Sequence, residues 1–259
     1  LSLVVVFTLG FWAVSVQNNY SKETEVACPT LDCGECTSLA AGRLATVDGS
    51  VLLGHNEDDS TPCTTIVYLT PRIYHEPGEK IVMWDTGTVI DQVEVTWALL
   101  WSESPRYRYF DGYLNEWGVA VSSDSGGSSR ETPPYDLTQG GIGHALKRLA
   151  AERAKTAREA VEIMGNFIEE LGYAASARIY LIADPQEAWF LCAVAGRHWV
   201  AQRVPDDEVA LVPNYYTIRQ VNLEDTDNFL ACPDLIEYAI AKGWYDPESG
   251  PFDFAKVYN

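Results

Sequence analysis

Apolar and polar positions change period along this chain, and the changes mark its elements. Residues 36–41 and 50–56 alternate on either side of Asp48-Gly49, and an Asp-Gly pair between two alternating runs predicts a β-hairpin. Residues 64–69, 93–101 and 119–123, rich in Val, Thr, Tyr and Trp, are predicted as further strands. Beyond them the period lengthens. In 139–153 and 156–171 apolar residues recur every three or four positions (Ile142, Leu146, Leu149, then Ala160, Ile163, Phe167, Leu171), the spacing of two amphipathic helices. Thr156 followed by Glu159 has the form of a capping box at the start of the second. Strand patterns return at 178–183, 188–193, 199–204 and 209–212, and a last helix over 233–242 ends at Gly243. Strands, a helical pair and strands again predict an α+β fold with helices layered on sheets, of which a four-layer αββα sandwich is the fullest form.

Composition narrows the class. The chain has 259 residues, 47% hydrophobic and 21% charged, which excludes disorder as the main state. Lys and Arg total 18 against 37 Asp and Glu, a net charge of −19 that repels phosphate backbones and argues against a nucleic-acid partner. The 19 Gly, 13 Pro, 8 Trp, 14 Tyr and 8 Phe suit sheets better than an all-helical fold. No internal repeat is visible.

The two ends differ from the rest. Residues 1–16 are apolar and uncharged, shorter than the roughly 20 residues of a spanning helix, and Ala13-Val14-Ser15 offers small residues for cleavage. They predict a secretory signal, hence a secreted or secretory-lumen protein that meets a membrane only through this segment. Residues 17–35 read as a polar linker or propeptide with a glycosylation sequon at Asn19-Tyr20-Ser21. The main domain is then 36–259. Its last residues, 252–259, stop inside an element, so its C-terminal part is expected to be missing.

Six cysteines (Cys28, Cys33, Cys36, Cys63, Cys192, Cys232) allow 15 complete pairings. Cys33-Gly34-Glu35-Cys36 is a CxxC, but no second CxxC follows and His55, His75, His144 and His198 are scattered, so no metal site and no cofactor is expected. A redox CxxC opens a helix after a strand, whereas the residues after Cys36 continue in extended style. A disulfide-linked domain without catalysis remains an open reading of these cysteines.

A series of short motifs carries the sharper signal. Cys36-Thr37-Ser38 precedes Ala45-Thr46-Val47-Asp48-Gly49-Ser50 and Gly54-His55-Asn56-Glu57-Asp58; Asp111-Gly112-Tyr113-Leu114-Asn115-Glu116-Trp117-Gly118-Val119, Val212-Pro213-Asn214 and Phe252-Asp253-Phe254 follow in order. In this the chain, from Cys36 to Asn259, resembles the dipeptidase and secernin family of cysteine N-terminal-nucleophile hydrolases, relatives of the penicillin V acylases and bile salt hydrolases.

The resemblance implies a four-layer αββα fold, a peptide-bond hydrolase, and dipeptides or short peptides as substrate. It implies that Cys36 is the nucleophile, freed by cleavage of Glu35–Cys36 through attack of its own thiol on the preceding carbonyl. The freed α-amine, with a reference pKa of about 7.7–8.0, then takes the thiol proton, so nucleophile and base sit on one residue. Asp58 would hold that amine by a charge-assisted hydrogen bond. Asn115 and Asn214 would donate to the oxyanion. The related acylases carry an arginine where this chain has His55, and a neutral imidazole lacks an arginine's permanent charge. A further family arginine has no safe counterpart here, Arg219 included. Trp101, Tyr107, Tyr109, Tyr113 and Trp117 are either pocket or core. A linear-amide acylase and a regulator without peptidase activity stay open beside the dipeptidase, as does a homo-oligomer.

Overall fold

The computed structural model describes residues 36–57, 66–104, 109–127 and 129–259, all within one unit spanning Cys33–Asn259; the side chains of 104, 109 and 110 are not described. The signal and linker readings for 1–35, together with Cys63, Asp58 and Tyr107, lie outside the described residues.

In chain order the strands begin with β1 (Thr37–Ala41), β2 (Leu52–Asn56), β3 (Ile66–Thr70), β4 (Ile73–Tyr74) and β5 (Lys80–Val82). They continue with β6 (Val89–Asp91), β7 (Val95–Thr96), β8 (Leu99–Ser104), β9 (Tyr109–Asn115) and β10 (Ala120–Ser125). Helices α1 (Ala145–Arg153) and α2 (Ala157–Leu171) follow. Then come β11 (Tyr173–Ala183), β12 (Ala188–Gly196), β13 (Trp199–Arg203), β14 (Val209–Val212) and β15 (Phe229–Ala231), and two short helices, α3 (Leu235–Ala241) and α4 (Phe254–Tyr258).

The fold is α+β, built on antiparallel sheets. Eight strands form one sheet in the order β15-β13-β12-β11-β10-β9-β8-β3, largely a meander. Three form a smaller sheet, β14-β1-β2, which packs on β10 and β11. Helices α1 and α2 cover the other face of the large sheet, α1 over β9 and β10, α2 over β11 and β12. Strand β12 is accordingly buried from end to end, as a strand covered on both faces must be. The small sheet turns Ser38, Ala40, Leu53, His55 and Val212 inward and Leu39, Leu52, Val209 and Leu211 outward to solvent. Among the described residues no helix is long and apolar enough to cross a membrane.

Helix α2 forms where the pattern predicts. The Thr156 hydroxyl accepts from Glu159 N at 3.1 Å, Glu159 reaches back to Lys155 N at 2.7 Å, and Asp184 adds a bond from Ala157 N at 2.7 Å. Helix α1 starts six residues later than its apolar period suggests. Gln139, Gly140 and Gly141 all take positive φ, which no helix tolerates, and the helix begins only where Asp85 accepts from Ala145 N at 3.1 Å. The strand expected over 93–101 is two strands, β7 and β8; β4, β5, β6, β9 and β15 appear where no element was predicted, and the element read at 252–259 is the short helix α4.

Candidate active site

The register of the small sheet assembles the site. Ser38 pairs with His55 on β2 and with Val212 on β14, and the same register carried past the last pairs would set Cys36 level with Glu57 and Asn214. Cys36 directly precedes β1, Glu57 directly follows β2 and Asn214 comes two residues after β14, so all three lie at one end of the small sheet. Three motifs, the first and last 178 positions apart, thus converge at one end of one small sheet. Cys36 is half-buried.

His55 is the centre of charge beside it. Its side chain is 7% exposed, and its Nδ1 lies 2.8 Å from the Ser38 hydroxyl and 3.3 Å from Asp124 Oδ1. Its Nε2 lies 2.8 Å from Asp111 Oδ1 and 3.1 Å from Glu57 Oε2. Burial works against the charged ring, but Asp111, Asp124 and Glu57 outweigh it and raise the pKa to about 11. The expectation of a neutral imidazole is therefore corrected: three carboxylates make His55 a standing cation at neutral pH. Asp111 in turn is held below the usual carboxylate range. Burial opposes this, and His55 and then Lys147 overcome it.

Lys147 approaches the same carboxylates through the large sheet. It projects from α1, fully buried, and its Nζ donates to the Asp111 carbonyl at 2.8 Å and the Ser123 hydroxyl at 3.0 Å. Burial, then Arg178, pull its pKa down to about 7, while Asp111, Glu57 and Asp124 pull the other way. One sheet therefore carries a charged imidazolium on one face and a half-protonated ammonium on the other, with Asp111 and Asp124 between them.

The two candidate oxyanion donors part company. Asn214 Nδ2 makes one long bond, 3.4 Å to the Ser125 carbonyl, and its Oδ1 is buried with no donor. Gly127 sits against it with φ +73°; a Cβ there would stand 2.7 Å from the Asn214 carbonyl, so only glycine lets the end of β10 come this close. Asn115 is fully engaged elsewhere. Its Nδ2 donates to the Ala151 and Ala154 carbonyls at 2.9 and 2.7 Å, and its Oδ1 accepts from Trp117 N and Val119 N. That corrects its predicted role: Asn115 ties the β9–β10 turn to the C-terminal end of α1 and has no proton left for an oxyanion.

Beside His55 opens a cavity of about 280 Å³ lined by His55, Asp111, Leu53, Leu100, Trp101 and Tyr113 among others. Of the candidate aromatics, Trp101 and Tyr113 face it, whereas Trp117 packs edge-on against Trp97 elsewhere. Glu57, Asp111, Asp124, Ser38 and Lys147 were missed as site residues by sequence reasoning. Ser38, Glu57 and Asp111 lay inside the motifs without being singled out, and for Asp124 the local signal was the polar run Ser122-Ser123-Asp124-Ser125 on a strand that both its faces should have made apolar.

Among known proteins, a family model described as peptidase family C69 matches residues 130–259, half of the chain. A Salmonella dublin protein described as "Probable dipeptidase" is 26% identical over 230 residues, 86% of this chain and 53% of its own length. A "Probable dipeptidase B" of Streptococcus pyogenes serotype M1 is 28% identical over 232 residues, 86% of this chain and 46% of its own. The chain thus spans about half the length of the curated relatives it matches. Of solved structures, penicillin V acylase from Agrobacterium tumefaciens is 12% identical with a TM-score of 0.42, over 69% of this chain and 49% of that one. A single-site variant of conjugated bile acid hydrolase from Clostridium perfringens is 14% identical with a TM-score of 0.37, over 80% and 56%.

Proposed function

Because the chain belongs to peptidase family C69, we propose that it is the nucleophile-bearing part of a cysteine-dependent dipeptidase, made and released through the secretory route. The observation that supports this reading is the register of the small sheet, whose continuation past its last pairs would set Cys36 level with Glu57 and Asn214, near His55 and an apolar cavity.

The reaction follows from that placement. Cleavage of Glu35–Cys36 frees the α-amine of Cys36, and Asp58 holds it. The amine takes the thiol proton, and the thiolate attacks the scissile carbonyl, forming a C–S bond. The imidazolium of His55 favours the thiolate electrostatically, as an arginine would in its place. Charge moves to the carbonyl oxygen, where Asn214 Nδ2 is the side-chain donor. As the C–N bond breaks, the leaving amine takes the proton from the Cys36 ammonium. Water then attacks the thioester, giving its proton to the Cys36 amine, and the acid leaves as the thiol is restored.

Replacing the nucleophile tests the proposal in the complete protein. Cys36→Ala is expected to stop dipeptide hydrolysis and to leave the bond before residue 36 intact by N-terminal sequencing. Undiminished hydrolysis in that variant, or a mature wild-type protein that begins elsewhere, would sink the mechanism.

A further inference from the structure

We infer that Glu57 and Asp111 form a seat for the α-ammonium of a peptide substrate, so that the enzyme requires a free amino end on the residue it cleaves after. The inference rests on Cys36 being the nucleophile.

The cluster around His55 has more acceptors than donors. One imidazolium offers two N–H groups to three carboxylates and a hydroxyl: Glu57 and Asp111 share the Nε2 side, Asp124 and Ser38 the Nδ1 side. Asp124 is wholly buried, and among the described residues neither its oxygens nor the buried Asp111 Oδ1 has a donor apart from the His55 ring beside them. A partly buried site with surplus negative charge favours a cation with several N–H donors.

Only part of the cluster can be reached. The Glu57 and Asp111 side chains keep 27% and 20% of their exposure, whereas Asp124 has none. Asp111 opens on the cavity, whose lining is otherwise mainly apolar: Leu53, Leu100, Trp101, Tyr113 and Leu114. An acidic edge on an apolar pocket complements an amino-terminal residue that carries an ammonium and an aliphatic side chain. The same three side chains, His55, Glu57 and Asp111, would close on a metal ion only with His55 deprotonated, against the pull of the carboxylates on its proton.

Distance fixes the assignment. In a peptide the α-nitrogen lies two bonds from its own carbonyl carbon, about 2.5 Å away. An enzyme that attacks that carbon and grips that ammonium needs a carboxylate beside its nucleophile. Glu57 stands level with Cys36, one position beyond the terminal pair Thr37–Asn56, and residues opposite one another on adjacent strands have Cβ atoms about 4.5–5.5 Å apart.

The test uses a probe with the ammonium and the aliphatic side chain but no bond to cleave: L-leucinol, compared with N-acetyl-L-leucinol, titrated by NMR into the mature protein. Leucinol is expected to bind at least about tenfold more tightly, and Glu57→Gln to bring that ratio close to one; Asp111→Asn, whose carboxylate shares the seat, should also lower it. Equal affinities in the wild type, no binding of either probe, or an unchanged ratio in both variants would overturn the inference. Hydrolysis of leucyl-glycine and N-acetyl-leucyl-glycine separates it from the proposed reaction. A protein that cleaves both peptides equally keeps the reaction and loses the seat. One that cleaves neither, yet prefers leucinol, keeps the seat and loses the reaction.

Discussion

His55 and Lys147 respond to pH in opposite directions. A histidine in an unfolded chain loses its proton near 6.5, whereas folded His55 keeps it to about 11. Its contribution to stability is complete below 6.5 and is lost as pH rises through 11. Lys147 is the reverse: it gives up its proton near 7 when folded and near 10.5 when unfolded, so stability grows as pH rises between those values. From pH 7 to 9 each slope approaches about 1.4 kcal/mol per unit, and their signs cancel. Denaturant midpoints of the wild-type protein should be nearly flat over that range, rising with pH in His55→Gln and falling with pH in Lys147→Met; slopes of the same sign in both variants would refute the pairing. The places of Cys36, His55 and Asn214 at one end of the small sheet could be read in the sequence because each sits in a short motif at a strand end. Their partners could not. Asp111, Asp124 and Lys147 meet His55 across a sheet, and spacing along a chain does not encode contact between layers. Asn115 shows the converse, a motif residue whose amide serves backbone carbonyls 36 and 39 positions away.

Gly165 lies in the middle of α2, where propensity alone favours alanine by about 1 kcal/mol. Tertiary contact reverses the preference. A Cβ at this position would stand 2.1 Å from Cζ2 of Trp199, and the indole cannot retreat freely because its Nε1 donates to Glu169 at 2.8 Å, one turn along the same helix. Gly165→Ala is therefore expected to destabilise the fold by about 1–3 kcal/mol in urea unfolding, despite the better helix former; a gain in stability would show that the helix and β13 can separate at no cost. Helix α2 was legible in outline, since its apolar stripe and Thr156 cap are local features. The start of α1 was not, because Gln139-Gly140-Gly141 breaks backbone geometry without breaking the apolar period. Strand β15 was missed for want of length: its three residues are held by β13, not by any pattern of their own.

The large sheet mostly follows chain order, so successive strand patterns predicted most of it, β9 and β15 excepted. The small sheet does not. Its third strand joins β1 from more than 160 residues away, and that one long-range pairing brings Asn214 to Cys36. The layered arrangement also has a measurable effect on binding. Near neutrality Lys147 is poised between its two protonation states, and the carboxylates across the sheet help to hold its proton. A substrate ammonium seated against Glu57 and Asp111 would satisfy those carboxylates and loosen that hold. A fraction of a proton should then leave for the solvent as leucinol binds at pH 7. The heat measured by calorimetry would differ between Tris and phosphate, buffers with unlike ionisation enthalpies, and the difference should vanish in Lys147→Met. Through its helix side, the protein would report on the charge of what occupies the cavity on the opposite face.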